Sequence, residues 1–389
     1  MIQIHNSLTG RKEALVPIVP GEVRMYLCGD TVYDFCHIGH ARSKVAFDVV
    51  RRYLAHRGYR VIFVRNITDI DDKIIRRAIE NGETIGALTE RFITAMHEDF
   101  EALGILPPDH EPRATGSIDG IIDLIGTLIE KGHAYAVENG GVYYAVASFP
   151  GYGQLSGKRL EDLRAGARVE VDSAKRDPLD FVLWKAVKPG EPSWESPWGQ
   201  GRPGWHIECS AMAERELGMA FSVHGGGIDL VFPHHENEIA QSECCNSVPF
   251  SRHWYHSEHL LVDGTTMSKS KGNYYTLRDL VAKGHEAMAL RYALLMGHPR
   301  KQLNFTLDSL HAAASALRTL RSVRAAIPGA GGSVDVFAPV LAALQATKSV
   351  RNRPASSPST RPTAVAASAG VEAIWPRGRA RKNPALTAR

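Results

Sequence analysis

Between Val23 and Val64 the apolar residues change their period twice. Val23 to Leu27 is a short, nearly continuous apolar run ending at Cys28-Gly29, and it predicts a buried strand. Val45, Val49 and Tyr53, beside Ala46, Val50 and Leu54, form two adjacent stripes at spacing four. That is the face of an amphipathic helix, closed by His56-Arg57-Gly58. Val61-Ile62-Phe63-Val64 is β-rich and short, a second buried strand. Strand, helix and strand at this spacing make a βαβ unit, so the pattern predicts an α/β fold around a doubly wound parallel sheet. Ligands of such sheets sit beyond the carboxyl ends of the strands, where Cys28 and the segment starting at His37 fall.

Residues 111–200 read differently. A helix near Ile118 to Lys131 leads into a hairpin from Tyr135 to Val146 around Asn139-Gly140-Gly141. Loops rich in Gly, Pro and Trp follow, through "KPGEPSWESPWGQGRPGW", and the whole stretch reads as an insertion between two halves of a nucleotide-binding fold. The second half returns with "HGGGIDLVFPHHENE" and a strand near His259 to Val262. Helices are expected over Ala287 to Met296 and Asp308 to Ala326. Beyond residue 350 there are five prolines and no apolar periodicity, which predicts disorder.

A chain of 389 residues exceeds one ordinary core and implies about two or three domains. No apolar run is long enough to span a membrane, and the N-terminus lacks the apolar core of a signal peptide, so a cytoplasmic location is expected. The net charge of +4 misleads. Residues 351–389 hold eight Lys or Arg against Glu372 alone, so the remainder is slightly acidic and total charge does not argue for a nucleic-acid partner. Five cysteines, odd in number and irregularly spaced, favour metal or catalytic roles over disulfides in that compartment.

Two segments carry the candidate chemistry: His37-Ile38-Gly39-His40 and Met267-Ser268-Lys269-Ser270. Spacing three on a helix puts His37 and His40 on one face, and a helix start offers N–H groups and a positive dipole end to phosphates. Lys269 lies in a loop between Gly264 and Gly272 that is free to close over a nucleotide. His234 and Glu238 are four apart in "HHENEIAQSECC", which reads as helix and gives two ligands on one face. Cys245 lies seven residues past Glu238, about 10 Å along such a helix, which argues against its joining them on one ion. Spacing does not choose among Cys28, Cys36 and Cys209. Asp69, Asp71 and Asp72 read as the acidic first turn of a helix.

These segments sit within "MYLCGDTVYDFCHIGHAR", "NITDIDDKII", "PGWHIECSAM" and "HGGGIDLVFPHHENEIAQSE". Over roughly residues 1 to 325 the chain resembles cysteinyl-tRNA synthetases, class I aminoacyl-tRNA synthetases. The resemblance implies a Rossmann-like catalytic domain in two parts, 1–110 and 201–305, the second carrying the SKS loop. A connective insertion at 111–200 would bind the tRNA acceptor end. A partial helical bundle at 306–350 and a disordered basic tail at 351–389 would follow.

It further implies catalytic roles for His37, His40 and Lys269. ATP would be held by Gly39, Gly226, Gly227, Asp229 and Lys269, with Mg2+ on the triphosphate. Gly29, Thr68, Trp205 and His224 would line the amino-acid pocket, and Cys28, Cys209, His234 and Glu238 would bind one Zn2+ per chain. The implied partners are cysteine, ATP and tRNA(Cys), and the implied state is a monomer. A metal-read thiolate fits a synthetase that lacks an editing module. Apolar pockets separate isosteres by only about 10²-fold, whereas a specific polar contact reaches ~10⁴, and zinc prefers a thiolate to a hydroxyl.

Two departures stand out. The family usually begins the SKS motif with Lys, and here Thr266 holds that place. The expected anticodon-reading part is replaced by the basic tail, as a frameshift near residue 348 or a truncation would produce. Adenylate formation is expected to persist, because its residues all lie upstream. Two other readings are a zinc-dependent cysteine ligase with an amino-sugar acceptor, and a truncated paralogue that binds nucleic acid or a partner without charging.

Overall fold

Strand β3 (Glu22–Thr31) has Val23, Met25, Tyr26 and Leu27 all buried. That explains its continuous apolar run: a parallel strand covered on both faces has no polar side to present. The computed structural model describes residues 2–162 and 174–326. The expectations for the tail, and for most of 306–350, lie outside them. Met1–Ala326 forms one compact unit.

Before β3 comes a hairpin of β1 (Gln3–Asn6) and β2 (Arg11–Ala14). After it, α1 (Ile38–His56) crosses over to β4 (Arg60–Thr68), which pairs parallel to β3. The second half supplies α5 (Trp205–Leu217), β9 (Phe221–Gly227), α6 (Glu236–Asn246) and β10 (Ser251–Ser257). All pairings in this sheet are parallel and its order is β10-β9-β3-β4. From β3 the first half winds outward through β4, and the second half winds the opposite way through β9 and β10. The crevice between β3 and β9 is therefore the switch point at which such sheets bind ligands.

Between the halves, α2 (Asp72–Asn81), α3 (Ile85–Ala102) and α4 (Ile118–Glu130) lead to an antiparallel sheet. Its strands β5 (Ala134–Ala136), β6 (Val142–Tyr144), β7 (Phe181–Ala186) and β8 (Gly201–Pro203) pair in chain order. Its core around Trp184 and Tyr144 continues into Ile207 and Ala211 of α5 and Ala240, Cys244 and Cys245 of α6. These two cysteines are packing residues, and the Tyr144 hydroxyl donates to Cys244 Sγ at 3.2 Å. A small third sheet, β11 (Leu260–Val262), β12 (Thr265–Thr266) and β13 (Leu303–Phe305), carries the SKS loop. Helices α7 (Leu277–Ala282), α8 (Ala287–Leu295) and α9 (Leu307–Ala325) follow the loop or flank β13. Among the described residues, no helix is long and apolar enough to cross a membrane.

Candidate active site and metal centre

Cys28 sits near the carboxyl end of β3, and buried Lys44 of α1 fixes that end. Lys44 Nζ donates to the Cys28 carbonyl at 3.1 Å and lies 3.1 Å from Asp30. Burial alone would raise the Asp30 carboxyl, yet Lys44 and its other cationic neighbours bring it down to about 2. Cys209 comes from the second turn of α5, and Glu238 from the first turn of α6. His234 corrects the helical reading of its segment. Helix α6 begins only at Glu236, and His234 belongs to an irregular turn, Val231–His235, in which Phe232 has extended dihedrals. The turn still brings His234 Nε2 to 3.1 Å from Glu238 Oε1.

These four side chains meet. Cys28 Sγ is 3.8 Å from Cys209 Sγ and 3.4 Å from Glu238 Oε1. One donor atom from each of Cys28, Cys209, His234 and Glu238 lies within 4.8 Å of the others, all buried. A second set, Cys28, His224, His235 and Glu238, meets the same criterion. The sets share two members, so they describe one ion's surroundings rather than two sites. The first set has the stronger donors. Two thiols, an imidazole and a carboxylate suit tetrahedral zinc. The outer nitrogen of His234 is held by His206, Nδ1 to Nδ1 at 2.8 Å, as an orienting partner holds a ligating imidazole. In the second set, His224 Nε2 is already bonded to Glu238 Oε2 at 2.8 Å.

Burial dominates the protonation of these groups. Burial lowers His234 to about 3, against the pull of Glu238, so its imidazole is neutral and able to ligate. Burial raises Glu238, but His224 and His234 outweigh it and leave the carboxyl below its ordinary range. Burial pushes the Cys28 thiol up, helped by Cys209 and Glu238. A divalent cation reverses that last sign, since coordinated thiols are deprotonated.

The residues expected to line an amino-acid pocket gather around this centre. His224 of β9 pairs in register with Tyr26 and stacks on Trp254, with ring centroids 4.5 Å apart. Trp205 begins α5 and stacks on His234 at 4.2 Å. Gly29 N donates to Asn66 Oδ1 at 2.7 Å, and a Cβ on Gly29 would lie 1.5 Å from the Asn66 carbonyl oxygen, so only glycine fits there. Thr68 ends β4, and its hydroxyl donates to Glu208 Oε2 at 3.4 Å.

His37 is the N-cap of α1. Its Nδ1 accepts from Gly39 N at 3.1 Å and His40 N at 3.3 Å. Two N–H groups expected to face phosphate are therefore taken by the cap. Because Nδ1 accepts, the proton of the neutral ring is on Nε2, free to donate outward. His37 and His40 rings stack at 3.7 Å, the consequence of spacing three. Burial, then the neighbouring His40, lowers His37 to about 3, and burial lowers His40 too. Burial thus favours the neutral form of both rings.

The second signature docks on the first. Ile38 N donates to the Tyr275 carbonyl at 3.0 Å, and Tyr274 packs edge-on against His37. Lys269 is exposed and ion-paired with Asp34 at 2.6 Å. Thr266, in β12, accepts a hydrogen bond from Lys271 Nζ at 3.4 Å. Gly226 is enclosed by the protein itself: a Cβ would lie 2.7 Å from Leu230 and 3.0 Å from the His235 ring. Gly227 ends β9, and exposed Asp229 follows in the next turn. Asp71 caps α2 by accepting from Lys73 N, and Asp72 pairs with Lys185 and Arg202. Asp71 and Asp72 thus form the expected acidic helix start, whereas Asp69 lies before the helix and accepts from Thr115 N at 2.9 Å and from its hydroxyl at 2.5 Å. Cys36 lies in the α1 core, 4.0 Å from Asp30 and away from the metal donors.

Sequence reasoning missed His206, His235, His256, Asn66, Glu208 and Asp34. The doubled His234-His235 was the one visible signal. His235 Nδ1 bonds His256 Nε2 at 2.8 Å, while its buried Nε2 has no hydrogen-bond partner among the described residues and lies 3.9 Å from Glu238 Oε1.

Residues 14–315 match the family described as tRNA synthetases class I (C) catalytic domain. The chain is 63% identical over 330 residues to a cysteine–tRNA ligase of Alkalilimnicola ehrlichii, covering 85% of this chain and 71% of that one. It is 62% identical over 320 residues to one of Methylococcus capsulatus, covering 82% and 69%. Among solved structures, the methionyl-tRNA synthetase of Mycobacterium tuberculosis in complex with methionyl-adenylate superposes with a TM-score of 0.60. That likeness, at 16% identity and covering 85% of this chain and 78% of the other, concerns the fold. By family match and by identity along most of its length, the chain belongs to the class I tRNA synthetases, and among them to the cysteine–tRNA ligases.

Proposed function

We propose that the chain activates cysteine with ATP and passes the cysteinyl group to tRNA(Cys), using the residues gathered at the β3–β9 crevice. The observation that carries this assignment of residues is the meeting of Cys28, Cys209, His234 and Glu238 beside the docked His37 and Lys269 segments. These four side chains would hold Zn2+, which when bound supplies a soft Lewis acid that prefers a thiolate substrate to a hydroxyl. Gly29, Thr68, Trp205 and His224 line the space beside it and orient the amino acid.

The substrate carboxylate then attacks the α-phosphorus. The Pα–O bond to the leaving group breaks, and pyrophosphate departs. No protein nucleophile is needed, so the protein contributes position and charge. His37 Nε2–H and the His40 ring donate to phosphate oxygens as charge develops, and Lys269 leaves Asp34 to meet the triphosphate. Gly39, Gly226, Gly227 and Asp229 frame the nucleotide, with Mg2+ on its phosphates. In the second step a terminal ribose hydroxyl of the tRNA attacks the carbonyl and AMP leaves.

The domain reading is 1–110 and 201–305 as catalytic halves, 111–200 as the insertion meeting the tRNA acceptor end, and a monomer acting in the cytoplasm. The test pairs cysteine-dependent ATP–pyrophosphate exchange with charging of a tRNA(Cys) transcript on one zinc-containing preparation. Both activities are expected. Exchange without charging would favour another acceptor, and loss of both in folded protein would overturn the reading.

A further inference from the structure

A cavity of about 340 Å³ opens at the carboxyl half of α1 and shares no residue with the metal centre or the two signature segments. Val50, on its wall, stands ten residues past His40, about 15 Å along the helix. The floor is apolar: Ile4 of β1, Leu15 just after β2, and Val50 and Leu54 of α1. The rim is cationic. Lys12 of β2 and Arg300, in the loop between α8 and β13, reach it from separate elements, with His5 and His298 beside them.

These charges are unanswered. Among the described residues, neither Lys12 nor Arg300 forms an ion pair, and no carboxylate lines the cavity. Glu13, next to Lys12, is engaged by Asn6 at 2.7 Å and Thr9 at 3.1 Å. His5 stands opposite Lys12 in the hairpin register. Burial and then Arg300 lower its pKa, against Glu13. Burial and then Arg300 also lower His298. Arg300 N donates to His298 Nδ1 at 3.1 Å, which leaves the proton of the neutral ring on Nε2. Tyr255 of β10 lines the cavity and is only 7% exposed, yet its hydroxyl has no hydrogen-bond partner among the described residues. Burial pushes it up to about 12, against the pull of Arg300 and Arg42, so it remains a donor.

The rim is also preformed. Buried Arg42 of α1 donates to the Glu258 carbonyl at 3.0 Å and to the carbonyls of His298 and Lys301, and Glu258 N donates to the Pro299 carbonyl at 2.7 Å. A ligand therefore does not have to order this loop in order to bind. Cations gathered at one opening attract an anion and repel a cation. The floor gains by covering with hydrocarbon rather than water, and the volume falls within the range of small-molecule sites.

We propose that this cavity is a second ligand site and that it takes a small organic anion with an apolar body. The charged end lies between Lys12 and Arg300, and the hydrocarbon covers Ile4, Leu15, Val50 and Leu54.

The test is calorimetric titration of the full, zinc-loaded chain with octanoate, octylammonium and acetate. Octanoate is expected to bind at one site per chain with a Kd at or below about 1 mM. It is expected to bind at least about tenfold more tightly than either of the others. Arg300→Gln should weaken octanoate by about tenfold, and Val50→Trp, which fills the cavity, should abolish its binding. Octylammonium binding as tightly as octanoate overturns the proposal, since the rim then selects no charge. Acetate binding as tightly also overturns it, leaving a surface counter-ion site. So does octanoate binding that survives Val50→Trp or is unchanged in Arg300→Gln, because the ligand then sits elsewhere. If either variant fails to fold by circular dichroism, the wild type still decides: octanoate ahead of both other probes supports the site, and any other order overturns it.

Discussion

Lys269 Nζ lies 2.6 Å from the Asp34 carboxylate, so the lysine expected to meet ATP is held by the loop that leads into His37. Arg77 approaches the same carboxylate at 3.5 Å. Lys269 is mostly exposed, and exposed pairs contribute about 0.2–1 kcal/mol. Asp34→Asn should release the lysine and lower the KM for ATP in pyrophosphate exchange by at most about fivefold. An increase would show that Asp34 positions Lys269 rather than competing for it.

The SKS loop offers a second ATP prediction. Thr266 stands where the family's first lysine is expected, yet the Lys271 ammonium reaches its hydroxyl. Lys271 is thereby placed where it would supply part of the missing charge. Lys271→Ala should raise the KM for ATP by about three- to tenfold, a loss of about 1 kcal/mol as for one charge-assisted contact. Adding Thr266→Lys in that background should restore it, and a double variant no better than Lys271→Ala would disprove the substitution of one lysine for the other.

A metal held by Cys28, Cys209, His234 and Glu238 should depend on the outer partner of His234. Because His206 orients His234, His206→Ala should weaken zinc binding by about 10–100-fold, as loss of such partners does elsewhere. Cys209→Ser should abolish stoichiometric zinc, read by metal analysis. Chelation of the wild type should remove cysteine-dependent exchange, and zinc should restore it.

Much of this was written in the apolar periods, and part was not. Strands β3 and β4 and helix α1 are legible because their buried faces repeat at the spacing that defines them. Helix α5 is not. Ile207, Cys209, Met212 and Leu217 share it with buried Glu208 and Ser210, so no polar stripe marks its outer side. Strand β10 hides likewise, since His253 and His256 are buried through hydrogen bonds rather than by apolar character. The choice of Cys28 and Cys209 needed the family resemblance, because the donors come from separate elements whose meeting is set by strand order and not by spacing.

Asp99 gives a pH prediction remote from the metal. Arg278 Nε is 2.9 Å from one carboxylate oxygen, but the other is buried without a partner among the described residues. Burial, only partly offset by Arg278, raises the carboxyl to about 6. A folded pKa above the unfolded value means that the native state binds the proton more tightly, so stability falls as pH rises from about 4 to about 6. The loss is on the order of 3 kcal/mol at 1.36 kcal/mol per unit. Asp99→Asn should therefore raise the Tm at pH 8 and lose most of that advantage at pH 4.5. An equal difference at both values would rule the mechanism out.

The strand order β10-β9-β3-β4 places a seam between β3 and β9, and the metal donors stand on both sides of it: Cys28 on one, Cys209, His234 and Glu238 on the other. An ion held there is a rivet across the seam. By reciprocity, such an ion would favour the docked arrangement by the same factor by which docking strengthens its hold. Metal retention would thereby report, without substrate, on those substitutions that appreciably populate an opened seam, wherever in the sheet they lie.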